Sequence, residues 1–195
     1  MSPQQQDRPA VRLTDARALR AYAHPTRAAL LSLLRTRGAL TATEAGAILG
    51  ESSGSTSFHL RQLARYGLVE PVPDIPGRAK PWRATSMLTD IPQSSEDPDV
   101  RDALVELGLA VAQRYFARVS DWISRSGEEP ASWREAAHFG DRMLFTTAAE
   151  LDELKDAVGE LIEPYARRLT NPDERPEGAR QVTFLRIAFP DDEQG

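Results

Sequence analysis

The chain has 195 residues, 41% of them apolar and 27% charged, and no cysteine. That length suits one large domain or two small ones with a buried core, and the missing cysteine excludes disulfides, thiolate metal ligands and cysteine nucleophiles. The net charge of −5 hides an asymmetry: residues 1–88 carry 12 Lys+Arg against 6 Asp+Glu, while residues 89–195 carry 12 against 23. A basic first half at +6 suits phosphates, and an acidic second half at −11 is repelled by them.

No apolar run approaches the roughly 18 residues of a membrane span. Residues 1–12 are polar and rich in Pro and Gln, without the apolar centre of a signal peptide. A cytoplasmic protein with no membrane partner is expected, its first 12 residues a disordered arm.

Helix signals then follow closely. Residues 14–23 fit a short helix. His24-Pro25 starts a second, with proline preset for the first turn. Leu30, Leu31, Leu33 and Leu34 give that helix an apolar face, and Gly38 ends it. Thr41 or Thr43 caps a third helix running to Leu49. Residues 50–54 form a turn, and a fourth helix over 54–66 stops at Gly67. Residues 68–72 and 80–84 are extended, with a turn-rich tip between them. The order helix, helix, helix, turn, helix, strand, wing, strand is that of a winged helix-turn-helix domain, placed at 13–88.

The fourth helix has the chemistry of a groove reader. Thr56, Leu60 and Leu63 share one face that should pack inward. Gly54, Phe58, Arg61, Gln62 and Arg65 lie on the other, and Ser53, Ser55 and Ser57 cluster at its start. A helix N-terminus with small hydroxyls accepts phosphate, Arg pairs with guanine and Gln with adenine. Phe58 either meets thymine methyls or packs on a neighbouring domain. The wing, 73–83, offers Arg78, Lys80 and Arg83 to the phosphate backbone or the minor groove.

These runs carry a resemblance. Ala23-His24-Pro25-Thr26-Arg27, Thr43-Glu44-Ala45, Ser55-Thr56-Ser57-Phe58-His59-Leu60-Arg61-Gln62-Leu63 and Gly67-Leu68-Val69-Glu70 are similar to the ArsR-type winged-helix domain of bacterial repressors. The segment from Gly77 to Thr85 resembles an actinobacterial branch of that family. The resemblance covers about a third of the chain. It implies a dimeric transcription regulator, expected to be a repressor, on double-stranded DNA with a near-palindromic operator. It also puts His59 on the recognition helix near the backbone, against the reading of a half-buried structural histidine. The family's metal sensors use Cys pairs or Asp/His clusters. With no Cys and only His24, His59 and His138, neither a metal nor a cofactor is expected.

Residues 89–98 read as a linker to a dimerisation and sensing module over 99–195. There Val100, Leu104, Leu107, Val111 and Tyr115 recur at helical spacing along residues 99–126. That stripe serves either as a dimer face, with Val100, Leu104, Leu107 and Val111 as contacts, or as core. A second helix over 148–169 opens on the capping box Thr147-x-x-Glu150, and residues 142–146 and 181–189 have strand character. The fold class is thus mainly α (α+β), an N-terminal winged helix plus a C-terminal α+β module with a long dimerisation helix. Nine of the 13 aromatics follow residue 89 and either fill a core or line a small-molecule effector pocket. Glu135 and His138 have a di-iron spacing, but only one copy exists where two are needed, and no nucleotide or hydrolase motif is present. The expected function is therefore non-enzymatic. The alternatives are a winged-helix protein-interaction module and an enzyme in the C-terminal half.

Overall fold

The computed structural model describes residues 10–73 and 80–191. The chain divides into two units, residues 1–120 and 121–195. It is mainly helical with small sheets.

The first unit holds the core. Helix α1 (Ala16–Ala23) is capped by Asp15, whose side chain accepts from the Ala18 amide. Helix α2 (Pro25–Arg37) begins on its proline and ends at Gly38, with φ at 85°, where a side chain would be strained. Helix α3 (Ala42–Leu49) opens on a complete capping box between Thr41 and Glu44. Helix α4 (Ser53–Arg65) is capped by Ser52. Strands β2 (Val69–Pro71) and β3 (Trp82–Ala84) pair antiparallel, with Val69 opposite Ala84 and Pro71 opposite Trp82. Their tip, residues 74–79 with Arg78, lies outside the described residues. Leu19, Leu30, Leu31, Leu34, Leu60, Leu63 and Leu68 are fully buried at the centre.

Two short strands tie together the segments that flank the winged domain. Strand β1 (Val11–Arg12) pairs in parallel with β4 (Thr89–Asp90). Residues assigned from sequence to an arm and a linker are therefore partly a ladder; residues 1–9 lie outside the described part. Arg35 braces this join, donating to the Ser86 carbonyl at 3.0 Å and to Thr89 Oγ1 at 2.7 Å.

Helix α5 (Pro98–Arg125) starts in the same unit. Val100, Ala103 and Leu107 are buried in its core, with Leu104 and Val111 packed at the edge. Arg20 of α1 fastens the helix through Asp99 at 2.9 Å and Glu106 at 3.2 Å. The stripe named from sequence is thus the inner face of α5. A different stripe stays open: Val105, Leu109, Phe116 and Ile123 are 55–74% exposed.

The second unit contains α6 (Ala131–Ala136) and α7 (Ala148–Ala166), the latter opening on the expected Thr147–Glu150 capping box. Arg180 is clamped between Glu129, at 2.7 and 3.1 Å, and the Trp133 ring, 4.8 Å away. Residues 142–146 and 181–189, strand-like by pattern, form no strand. Alternation alone makes no ladder without an edge to pair with, and these segments find none in a single chain. Among the described residues none after Leu107 is buried. Phe139, Phe145, Phe184 and Phe189 are all exposed, so within one chain they make neither core nor enclosed pocket. No helix of the described residues is long and apolar enough to cross a membrane.

Candidate nucleic-acid interface

Helix α4 buries Thr56, Leu60 and Leu63 and turns the opposite side outward. The 3.6-residue period accounts for the split, since those three positions fall on one side of the helix. On the outer side Gly54, Arg61 and Arg65 are exposed, Gln62 is half-buried and Phe58 is 50% exposed. Arg61 Nη1 donates to Ser57 Oγ at 2.9 Å, one turn back. That bond holds the guanidinium along the helix surface.

The start of α4 meets the start of α3. Ser53 and Thr43 hydroxyls lie 3.2 Å apart, while the capping side chains of Thr41 and Ser52 take the third-position amides. Among the described residues the first amides of both helices have no acceptor, and both helix dipoles present their positive ends here. A groove of about 420 Å³ runs between these helix starts and the hairpin, with Thr43, Ser53, Ser57, Pro71, Lys80 and Trp82 along it. Sequence reasoning missed Thr43 as part of this surface. The Thr41–Glu44 capping box was the available signal, because it marks where α3 begins.

Not every expected contact residue is free. Arg83 reaches across the hairpin to Glu70, at 2.8 and 2.9 Å, and only 20% of its side chain is exposed. Its charge is neutralised within the sheet; Lys80 stays exposed at the groove. Ser55 Oγ donates to Glu51 at 3.0 Å.

His59 faces inward along α4. Its ring centroid lies 4.7 Å from that of His24 and 5.3 Å from that of Phe58. Both histidine Nδ1 atoms are buried, with no hydrogen-bond partner among the described residues. Burial, then the nearby Arg27 cation, lowers both histidine pKa values, opposed by Glu51. Neutral imidazoles therefore pack the corner between α2 and α4. Glu135 and His138 do not share a helix, because α6 ends at Ala136. Among the described residues no group of three His, Cys, Asp or Glu side chains is arranged to hold a metal.

Residues 22–72 match the family model of a helix-turn-helix domain. The chain carries a winged helix-turn-helix domain. The match spans α2, α3 and α4 and reaches the first wing strand, and β3 supplies the second. No curated protein matches the chain. Two solved structures are similar at low identity. One is the homodimeric winged helix-turn-helix DNA-binding domain of Mb0332 from Mycobacterium bovis, described as a possible ArsR-family transcriptional regulator. It is 20% identical, covering 66% of this chain and 86% of that one, with a TM-score of 0.34. The other is RV1404 from Mycobacterium tuberculosis, 13% identical, covering 73% of this chain and 83% of that one, with a TM-score of 0.31.

Proposed function

We propose that this protein is a sequence-specific, double-stranded DNA-binding transcription regulator that works as a homodimer. The observation carrying the reading is the outer face of α4, where Arg61, Gln62, Arg65 and Phe58 stand clear of the core beside two helix N-termini and Lys80. Arg61 and Gln62 suit base edges in the major groove. Ser53, Ser57, Thr43 and Lys80 suit phosphates, which fix position and supply affinity without choosing sequence. The ArsR-type resemblance points to repression from a near-palindromic operator.

The exposed stripe of α5 supports the dimer. Val105, Leu109, Ala112, Phe116, Val119 and Ile123 follow one another at steps of 4, 3, 4, 3 and 4, the alternation of a heptad, which pairs two helices along a common seam. No charged residue lies between Leu107 and Gln113. Two copies joined there would present two α4 helices to one duplex.

Selection of bound duplexes from a random library tests the reading. A defined operator should emerge. Arg61→Ala should weaken it about tenfold or more and relax preference at one or two positions. Lys80→Ala should weaken all duplexes alike and lower the salt slope by about one. A protein that binds no duplex at low salt refutes the proposal and leaves Phe58 as the anchor of a protein interface.

A further inference from the structure

We infer that the cleft between the α1–α2 corner and α5 is a binding site for a small apolar carboxylate. The core face of α5 does not end at Leu107. Ala110 and Val111 continue it, and opposite them stand Tyr22, Pro25 and Ala28 from the corner where α1 gives way to α2. Alanines on both sides, Ala28 and Ala110, leave about 270 Å³ open between the walls. An apolar volume of that kind, close to a domain's core, favours an apolar occupant over water. It is smaller than the roughly 300–1,000 Å³ of drug-sized sites, so the occupant is a single ring or a short chain.

Arg114 settles the polar end. It lines the same cleft one turn beyond Ala110. Its guanidinium lies 5.0 Å from the centroid of the Tyr115 ring, and among the described residues no carboxylate pairs with it. A planar fork of donors beside an apolar cleft matches a carboxylate in shape and charge. The open stripe of α5 lies on the opposite side of the helix, so a second copy seated there leaves the cleft accessible. Two cleft residues, Ala23 and Pro25, flank His24 in the chain, and the ring of His24 packs on His59 of α4. Use of the site as an effector site rests on the proposed DNA-reading role of α4; binding itself does not.

The experiment therefore reads binding alone. The full chain is titrated with phenylacetate and hexanoate, and with the neutral 2-phenylethanol and hexanol, while amide chemical shifts are followed. The carboxylates should give saturable shifts centred on Ala28, Ala110 and Val111. Arg114→Gln should weaken the carboxylates about tenfold and leave the alcohols nearly unchanged. Ala110→Leu, which fills the cleft, should abolish binding of both. Absence of saturable shifts, shifts centred elsewhere, or an Arg114→Gln protein that binds carboxylates as tightly as the parent overturns the inference. Arg114 is half-buried and lies outside the buried core, so that variant remains informative even where Ala110→Leu fails to fold.

Discussion

Replacing Gly46 by alanine sets helix propensity against packing and asks which prevails. Gly46 lies inside α3, where alanine is the better helix former by about 1 kcal/mol. On propensity alone Gly46→Ala stabilises. The neighbours of Gly46 reverse the sign. A Cβ there would stand 2.7 Å from the Glu51 carbonyl oxygen and 2.8 Å from Thr56 Oγ1. That carbonyl belongs to the turn into α4, where the Glu51 amide donates to the Gly46 carbonyl at 2.9 Å. Thr56 is fully buried. The first is backbone and cannot retreat unless the turn into α4 moves, and the second belongs to a side chain packed in the core. Overpacking costs about 1–3 kcal/mol, and two such contacts place this site at the upper end. After the propensity gain, a net loss of about 1–2 kcal/mol remains. With a urea m-value of about 2 kcal/mol/M, the midpoint falls by about 0.5–1 M. Amide signals of α3 and α4, followed through a urea titration, report this unit separately from residues 121–195. A midpoint at or above that of the parent would refute the packing argument.

Two further outcomes follow from the geometry. His24 and His59 are held below the ordinary histidine pKa in the fold, so the unfolded chain takes up their protons first. Their contribution is complete above about pH 6.5 and is lost as pH falls through the lowered folded values. Urea midpoints between pH 7 and 5 should therefore drop less steeply in a His24→Gln/His59→Gln protein; equal slopes would remove the pair from the account. Phe116→Asp places a charge in the centre of the open α5 stripe, where the parent side chain is 74% exposed. Sedimentation equilibrium should show the proposed dimer weakened at least tenfold with the helix content unchanged, and an association equal to the parent's would exclude that seam.

The winged domain was readable because its signals are local. The cap at Thr41, the proline at position 25 and the left-handed Gly38 and Gly67 each fix a boundary by short-range chemistry. The inward face of α4 followed from a period of 3.6 residues and three apolar or small side chains. The contact between His24 and His59 joins residues 35 positions apart, and nothing near either histidine announces the other. The ladder of β1 with β4 is two residues long in each strand, too short to leave an alternating pattern. Along α5 two apolar stripes share one helix. Periodicity finds both, and only the packing of Leu107 and the exposure of Phe116 tell them apart. The segments 142–146 and 181–189 alternate like strands, yet pairing is a property of two edges and not of one sequence.

Up to residue 120, α5 is gripped by the winged domain on one side and bare on the other, which leaves no hinge there between the proposed reading and the proposed assembly. Arg20 and Leu107 lock α5 to the winged domain, so two copies joined along the bare side would form one stiff caliper. Its jaws would keep a set span and a set rotation. One extra base pair at the centre of an operator turns the two half-sites by about 35° relative to each other, a misfit such a frame can meet only by twisting the DNA. If it reads an operator as proposed, its choice of genes would then be written as much in the gap between half-sites as in the bases it touches.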